Sequence, residues 1–235
     1  NNSSSDNCGS NLSFSINGQS NLNYTCANIG LNQVVFSVQD PSGNTDTCVS
    51  QITIQDITAP LANCLSSFTL FLDNSGSATL NAAQLDNAST DNCSIVDYEI
   101  AGSSTALFNC NDLGGNVVVL TLRDASGNQS NCTSIVQVRD TIIPNALCFT
   151  NPLRVYLNFN GTISVNATQI DSLSSDNCSI SQLLINNQNS LNFNCGQTGL
   201  NNVTLTVIDS SNNSNFCNAT VIVSDTFPPQ AVCQN

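Results

Sequence analysis

Aspartate is the residue type in this chain whose recurrence most strongly suggests chemistry. The triplet Asp-Asn-Cys occurs at residues 6–8, 91–93 and 176–178, so successive copies lie 85 residues apart. Two further sets of aspartates recur with nearly the same period, one at the start of a turn motif and one in a linker that ends in proline. The turn aspartates are Asp40, Asp124 and Asp209, and the linker aspartates are Asp56, Asp140 and Asp225. Carboxylates that recur together in this way are candidates for binding a cation.

The chemistry depends on where a β-sandwich would place these aspartates. If the Asp-Asn-Cys segment joins the second and third strands, it lies at the same domain end as the last hairpin turn and the incoming linker. Three carboxylates and nearby amide oxygens would then meet, and Ca²⁺ takes about six to eight such oxygens. We therefore expect a calcium ion at each junction. The predicted ligands are Asp56, Asp91, Asp124 and Asn128, with Asn92 as an alternative amide, and then Asp140, Asp176, Asp209 and Asn213, with Asn177 as the alternative. The competing interpretation is that these side chains only accept hydrogen bonds from turn amides.

Composition excludes most catalytic chemistry. The chain has 235 residues, 16 acidic groups, three arginines and no lysine or histidine, which gives a net charge of -13. Without histidine there is no imidazole base or ligand, and without lysine there is no Schiff base. A strongly acidic chain also lacks the basic surface that nucleic acids require. We expect no enzyme activity, no catalytic residues, no cofactor besides calcium and no nucleic-acid partner.

Cysteine usage indicates the compartment. Twelve cysteines without a CxxC pair favour disulfides over zinc sites, which usually take closely spaced ligand pairs. Disulfides persist in oxidising compartments, so we expect an extracellular, cell-surface protein. No apolar run approaches the roughly 18 to 20 residues that a membrane helix needs, so we expect no membrane insertion by this segment.

The fixed period defines the domain organisation. An aromatic residue precedes Cys26, Cys110 and Cys195 by two positions, and these cysteines keep the same spacing as the aspartates. A unit of about 85 residues suits a small domain with its own core. We predict the C-terminal part of one repeat at 1–56, complete repeats at 57–140 and 141–225, and the start of another at 226–235. The chain would then be a slice of a longer tandem array, with neighbouring repeats as its partners.

Within each repeat the hydrophobic period is that of strands. Apolar residues alternate in Val203-Thr-Leu-Thr-Val207, and a second alternating run follows the turn that begins at Asp209. This hairpin corresponds to the last two strands of an immunoglobulin-like sandwich. Asn212 replaces the turn glycine and should take a positive φ, while Asn160-Gly161 predicts a first hairpin in that repeat. We predict an all-β fold of tandem, disulfide-stapled immunoglobulin-like domains with little helix.

Two disulfide schemes are compatible with this spacing. The first and last strands of such a sandwich run parallel from the same end, which brings Cys64 near Cys132 and leaves Cys93 for Cys110. This within-repeat scheme, which we favour, pairs Cys8-Cys26, Cys64-Cys132, Cys93-Cys110, Cys148-Cys217 and Cys178-Cys195, and leaves the partners of Cys48 and Cys233 outside the segment. The rival scheme pairs cysteines across the linkers, as Cys48-Cys64, Cys132-Cys148 and Cys217-Cys233. The strand between Cys132 and its linker spans about 25 Å, which argues against the rival.

These motifs together resemble a known family. The segment Phe108–Asn128, the following Cys132 and the linker Asp140–Pro144 resemble the hyalin-repeat (HYR-like) domain, and the Asp-Asn-Cys and Phe-Asn-Cys elements resemble its tandem variant in giant surface adhesins of gliding Bacteroidota, the SprB type. The resemblance implies an immunoglobulin-like fold, type IX secretion, a role in surface adhesion or gliding motility, and no catalytic site. The departures are Asn212 in one turn and Asn158–Gly161 in place of an Asp-Asn-Ser-Gly turn.

The function we predict is that of a stalk or filament segment of a long extracellular adhesin. A carbohydrate-binding array is the alternative, with surface polysaccharide as partner and with Phe14, Tyr24, Phe108 and Phe193 as a stacking platform, although such residues more often fill a core. Spacer domains of a large secreted hydrolase are a third possibility. Thr141 and Ser172 match a short Bacteroidota O-glycosylation motif, which is a weak signal because capped turns and linkers contain the same residues.

Overall fold

The computed structural model describes residues 4–8 and 11–232, and in this part of the chain the fold is all-β, as predicted. Fifteen strands are present, which we number in chain order. They are β1 Ser13–Ile16, β2 Gly30–Gln39, β3 Thr45–Ile54, β4 Ser67–Phe71, β5 Ser77–Asn81, β6 Ile95–Ile100, β7 Thr105–Asn109, β8 Gly114–Asp124, β9 Gln129–Arg139, β10 Leu153–Tyr156, β11 Thr162–Asn166, β12 Ile180–Ile185, β13 Ser190–Asn194, β14 Gly199–Asp209 and β15 Ser214–Ser224.

Helix in the described part of the chain is limited to short 3-10 turns. They span Cys26–Asn28, Ala82–Leu85, Cys110–Asp112, Ala167–Gln169 and Cys195–Gln197. Within the described residues no helix has the length and apolar character needed to cross a membrane.

The chain divides into two compact units that each combine several segments. Unit 1 comprises Asn1–Leu65, Ala82–Ser104 and Val119–Ser134, and unit 2 comprises Ser66–Asn81, Thr105–Val118 and Ile135–Asn235. The division runs through the second repeat, so each unit contains one junction between consecutive repeats. The repeat boundaries at residues 56, 140 and 225 remain a prediction from the sequence.

The third repeat, in unit 2, is an immunoglobulin-like sandwich. One sheet has the strand order β10-β15-β14-β12 and the other pairs β11 with β13. The first strand β10 runs parallel to the last strand β15, with Leu153 opposite Val221, as predicted. Side chains alternate between the two faces of a strand, so Val203, Leu205 and Val207 of β14 point into the sandwich and are buried, whereas the polar residues between them point outward. The strand order of the second repeat is the same, β4-β9-β8-β6 with β5-β7, and the first repeat contributes the sheet β1-β2-β3.

The two predicted turns have different outcomes. Asn212 has a φ of 68°, close to the 90° of Gly43 and 89° of Gly127 at equivalent positions, which confirms the prediction for this residue. The turn at Asn160-Gly161 is present, but the predicted hairpin is wrong. Strands β10 and β11 on either side of it belong to different sheets, so the turn carries the chain from one layer of the sandwich to the other.

The buried stripe of β14 gives a test of the fold. Replacing Leu205, which is 0% exposed, with alanine should lower the free energy of unfolding by about 2 to 5 kcal/mol because it leaves a cavity in the core. Leu200 on the same strand is 75% exposed, so Leu200→Ala is the matched control and should change stability by well under 1 kcal/mol. Denaturant unfolding of the oxidised protein measures both. Equal effects of the two substitutions would contradict the assigned register.

Candidate metal sites and disulfides at the repeat junctions

Two disulfides lie within repeats, as predicted. Cys64 is bonded to Cys132 and Cys148 to Cys217, with Cα–Cα distances of 5.7 and 5.8 Å. Each joins the segment before a first strand to the last strand of the same repeat, because those two strands run in parallel from the same end. These bonds also exclude the rival scheme across the linkers.

The other predicted pairs are wrong, because the structure bonds cysteines of neighbouring repeats. Cys26 of the first repeat is bonded to Cys93 of the second, and Cys110 of the second is bonded to Cys178 of the third. The predicted bonds Cys8-Cys26, Cys93-Cys110 and Cys178-Cys195 are therefore absent. Among the described cysteines, Cys8, Cys48 and Cys195 are free thiols, and Cys233 lies outside the described residues.

Strand length explains why the predicted disulfide between Cys178 and Cys195 does not form. In the third repeat Cys178 lies two residues before Ile180, which is opposite Asp209 at the C-terminal end of β14. Cys195 lies four residues before Gly199, where β14 begins, and its sulfur is 3.6 Å from the carbonyl oxygen of Gly161. The eleven residues of β14 span about 35 Å, far beyond the reach of a disulfide. Each repeat therefore carries one of these cysteines at its entry end and the other at its exit end.

The inter-repeat disulfide in unit 2 depends on a glycine. Gly76 has a φ of 73°, and a Cβ at this position would lie 2.6 Å from the carbonyl oxygen of Asn177 and 2.7 Å from the sulfur of Cys110. The loop that carries Cys178 therefore packs directly against the backbone of the preceding repeat. Asn177 strengthens this contact, because its side-chain amide donates to the carbonyl oxygen of Asp73 at 3.2 Å.

The first predicted cluster of aspartates forms in unit 1. Carboxylate oxygens of Asp56, Asp91 and Asp124 all lie within 4.8 Å of one another. Asp91 accepts hydrogen bonds from the backbone amides of Cys93 and Ser94, and Asp56 accepts one from the side chain of Asn92 at 3.1 Å. One oxygen of Asp56 and one of Asp91 are buried without a hydrogen-bond partner.

The second cluster, in unit 2, repeats this arrangement with deeper burial. It consists of Asp140, Asp176 and Asp209, again within 4.8 Å, and Asp140 and Asp209 are 6% and 0% exposed. Unpartnered buried oxygens occur on Asp140 and Asp176 and on the side chain of Asn177. Buried polar atoms normally have a hydrogen-bond partner, so these three oxygens mark a place where a cation or a water molecule would bind.

The donor set fits a calcium ion. Two Ca–O bonds of about 2.5 Å allow ligand oxygens up to about 5 Å apart, which accommodates the observed 4.8 Å. All the candidate ligand atoms are hard oxygens. The groups that donate hydrogen bonds to these carboxylates are neutral amides. The cluster residues could supply several of the six to eight oxygens that calcium takes, and water would supply the rest.

Asn128 and Asn213 have a different role from the one predicted. Their side-chain nitrogens face the cluster: Asn128 donates to Asp124 at 2.7 Å and to the carbonyl oxygen of Asp56 at 3.1 Å, and Asn213 makes the corresponding bonds to Asp209 and Asp140. Through their side-chain nitrogens these two asparagines therefore hold the turn aspartate against the linker. A side chain in this orientation does not offer its amide oxygen to the cluster as a ligand. The unpartnered amide oxygen belongs to Asn177, which was the predicted alternative at the second junction.

Hydrogen bonding keeps Asp124 ionised. Burial raises the pKa of its carboxyl, but hydrogen bonds from the side chain and backbone of Asn128 and from the turn amides outweigh burial. The pKa of Asp124 therefore lies below its ordinary value of 3.8, and the carboxylate is charged and ready to bind a cation at neutral pH.

The remaining candidate residues separate by burial. Phe108 and Phe193 are 8% and 1% exposed, so they fill the cores of their repeats and form no sugar-stacking platform. Phe14 packs on Phe36 with ring centroids 5.7 Å apart. Thr141 is exposed in its linker, whereas Ser172 is half-buried and its backbone amide donates to Leu147. Glycosylation of either residue stays a prediction.

Comparison with known proteins yields structural likeness alone. No protein-family model and no curated protein matches the chain. Among solved structures, the fibronectin(III)-like modules of CbhA from Clostridium thermocellum align over 73% of this chain and 96% of that chain, with 11% identity and a TM-score of 0.29. Protocadherin gamma B7 cadherin domains 1-4 align over 85% of this chain and 59% of that chain, with 12% identity and a TM-score of 0.35. The four N-terminal Ig domains of Dscam1 isoform 6.9 align over 82% and 54%, with 9% identity and a TM-score of 0.39.

The disulfide pattern can be tested with trypsin, since the chain contains only three arginines and no lysine. Complete cleavage after Arg123, Arg139 and Arg154 in denaturant, with free thiols blocked, yields fragments 1–123, 124–139, 140–154 and 155–235. The four disulfides connect all of them, so the digest should remain one covalent species near 24.7 kDa until it is reduced.

A double substitution supplies the matched control. Without the bond between Cys110 and Cys178, the same digest separates into two species, one with the first two fragments and one with the last two. The variant C110A/C178A should show this separation. Two species from the unmodified chain would instead restore the within-repeat scheme.

Proposed function

We propose that this chain is a non-enzymatic, load-bearing segment of an extracellular repeat filament whose junctions are held by a disulfide and a calcium ion. The observation that carries the proposal is the coincidence of both features at each junction. A single tripeptide, Asp-Asn-Cys, supplies a carboxylate to the aspartate cluster and a sulfur to the inter-repeat disulfide at residues 91–93 and again at 176–178.

The disulfides support a mechanical role because they give the chain two covalent paths. Through Cys64–Cys132 and Cys148–Cys217, only residues 1–64, 132–148 and 217–235 can extend, about 100 residues at roughly 3.5 Å each. Through Cys26–Cys93 and Cys110–Cys178, only residues 1–26, 93–110 and 178–235 can extend, which is again about 100 residues. Loss of either pair of bonds would leave the maximum length almost unchanged.

Calcium would restrain the relative orientation of two repeats, which the disulfide alone does not. A disulfide limits how far two repeats can separate, but a single bond allows rotation about its torsions. An ion bound by three carboxylates from a linker, a loop and a turn fixes these segments relative to one another. It would also neutralise part of the chain's net charge of -13.

Location and biological role follow from chemistry and resemblance. Four disulfides are stable in an oxidising environment, which supports an extracellular location. The resemblance to HYR-like repeats of SprB-type adhesins supports a stalk in surface attachment or gliding motility, exported by type IX secretion. Burial of Phe108 and Phe193 weighs against the carbohydrate-binding alternative.

Calcium titration tests the proposed sites. The oxidised chain should bind two calcium ions, and its melting temperature should rise by several degrees with calcium relative to excess chelator. Free calcium at a concentration of about one hundred times its dissociation constant raises the free energy of unfolding by about 2.7 kcal/mol for each site. Asp124→Asn and Asp209→Asn should each remove one ion, because asparagine keeps the shape of the side chain but not its charge.

Asp97→Asn is the control for charge alone. Asp97 is exposed and lies outside both clusters, so this variant should still bind two ions. Calorimetric titration gives the stoichiometry of all four proteins. Unchanged binding by the two cluster variants, or no binding by the parent chain, would refute the calcium sites and leave the disulfides as the structural basis of the junction.

Stretching single molecules tests load bearing. Reduction should add about 480 Å to the maximum extension between the chain ends, since bonds closing 68 and 69 residues are lost. An oxidised variant without the two inter-repeat bonds should extend to within about 40 Å of the parent length, and so should a variant without the two within-repeat bonds, because all four bonds together shorten the path only slightly more than either pair does. Only removal of all four should reproduce the reduced length. A large extension in either single-set variant would contradict the proposed double path.

A further inference from the structure

The disulfide between Cys110 and Cys178 and the second aspartate cluster share one loop, residues 176–178. The backbone amide of Cys178 donates to one carboxylate oxygen of Asp176 at 2.9 Å, and the amide of Ser179 donates to the same oxygen at 3.2 Å. The other oxygen of Asp176 is buried without a hydrogen-bond partner. The position of Cys178 therefore helps to set the orientation of a predicted calcium ligand.

Asn177 links the cluster to the second repeat. Its side-chain nitrogen donates to the carboxylate of Asp140 at 3.2 Å and to the carbonyl oxygen of Asp73 at 3.2 Å, and it lies 3.8 Å from the sulfur of Cys178. Asp140 is 6% exposed, and one of its carboxylate oxygens has no hydrogen-bond partner. One amide group therefore contacts a cluster carboxylate, the first turn of the second repeat and the disulfide.

The disulfide holds this loop against a surface that leaves no room for a larger residue. The sulfur of Cys110 lies 3.6 Å from the carbonyl oxygens of both Gly76 and Asn177. A Cβ on Gly76 would lie 2.6 Å from the carbonyl oxygen of Asn177. Close packing thus prevents the loop from moving toward the second repeat, and the disulfide prevents it from moving away. Cleavage of the disulfide removes the second of these restraints.

We infer that the disulfide between Cys110 and Cys178 regulates the calcium affinity of the second cluster, although its sulfurs are not ligands. The inference rests on the proposed calcium site. Reduction lowers the affinity because the loop must then be ordered when the ion binds. Coupling between two equilibria is reciprocal, so the bound ion makes the disulfide harder to reduce by the same factor.

The expected coupling lies at the lower end of the usual range. Asn213 holds two of the three aspartates together in either state of the disulfide, because it donates to the carboxylate of Asp209 at 2.9 Å and to the carbonyl oxygen of Asp140 at 3.2 Å. Reduction therefore frees only Asp176. Coupling between sites in proteins is typically about 5-fold to 150-fold, so we expect a factor of about five to ten here.

Reduction requires a dithiol, for which we specify dithiothreitol. One of its thiolates attacks a sulfur of the disulfide, forms a mixed disulfide and releases the other cysteine as a thiolate, which takes up a proton. The second dithiothreitol thiolate attacks the mixed disulfide, closes a cyclic disulfide and releases the remaining cysteine. Two electrons pass to the cysteine sulfurs, and the two thiol protons of the reductant end on the cysteines.

Partial reduction of the unmodified chain tests the inference without any substitution. After the free thiols are blocked, the chain is equilibrated with mixtures of reduced and oxidised dithiothreitol, in saturating calcium or in excess chelator. New thiols are alkylated with a second reagent and located by peptide mass mapping. Calcium should lower the equilibrium constant for reduction of Cys110–Cys178 by about five-fold or more. Cys148–Cys217 is the control in the same repeat and should change by less than about two-fold, since it includes no residue of the loop.

Calorimetric titration supplies the reciprocal measurement. In an Asp124→Asn background, which removes the proposed ion at the first cluster, the titration reports the second cluster alone. There C110A/C178A should bind calcium about five-fold or more weakly than the background chain. C148A/C217A is the matched control, and it should keep the affinity within about two-fold.

Gly76→Ala tests the loop while the disulfide is retained. The added Cβ must displace the carbonyl oxygen of Asn177, so the calcium affinity of the second cluster should fall several-fold. Gly102→Ala is its matched control in the same repeat, since Gly102 has a φ of 81° against 73° for Gly76 and no atom within 4 Å of the added Cβ. This variant should keep the parent affinity.

The possible failures can be distinguished from one another. Binding of two ions by the parent chain, together with equal calcium affinity in C110A/C178A or an unchanged reduction equilibrium, would overturn the inference and leave the calcium sites in place. Equal effects of the two glycine substitutions would also overturn it. Binding of no ion by the parent chain would refute the calcium sites and the inference with them.

Discussion

The length of the two long strands in each repeat is the constraint on which the junctions depend. Eleven residues in β14 separate the entry end of the third repeat from its exit end by about 35 Å, so a cysteine can bond only to a partner at its own end. Cys178 at the entry end finds its partner in the preceding repeat, at Cys110, while Cys148 and Cys217 close the same repeat. Bonds within and between repeats therefore alternate along the chain.

The loop at residues 176–178 couples three interactions over three residues. Asp176 joins the carboxylate cluster, Asn177 donates to the carbonyl oxygen of Asp73 and to the carboxylate of Asp140, and Cys178 forms the disulfide. Because the same loop contacts both the turn and the exit linker of the preceding repeat, movement of either would disturb all three interactions. The close approach also explains why Gly76, which leaves no room for a Cβ, stands at this position.

Much of this structure could be predicted from the sequence, but the disulfide connectivity between repeats could not. Alternating residues such as Val203 and Leu205 predicted the strands, and recurrence of Asp56, Asp91 and Asp124 predicted which carboxylates would meet. The cysteine pairing could not be decided in the same way, because a bond within a repeat and a bond to the next repeat have the same period. The missing information was spatial: β13 pairs with β11 in the second sheet, and this pairing places Cys195 beside Gly161 at the exit end, away from Cys178.

The asparagine of the turn motif could also be recognised from the sequence. Which atom of its side-chain amide faces the carboxylates, however, depends on contacts with the linker.

Disulfide and carboxylate cluster complement each other because they resist different movements. The covalent bond sets an upper limit on separation whatever the solvent contains, and it is lost only by reduction. The proposed ion among three carboxylates would restrain orientation, and its effect would depend on calcium concentration and on the ionisation of groups such as Asp124, whose lowered pKa keeps it charged under mildly acidic conditions. Since no lysine or histidine is present to neutralise the clusters, a bound cation is the simplest source of compensating charge for oxygens that the fold buries without partners. With calcium bound as proposed, the chain would keep its covalent continuity unchanged while the stiffness of each junction responded to the surrounding calcium concentration.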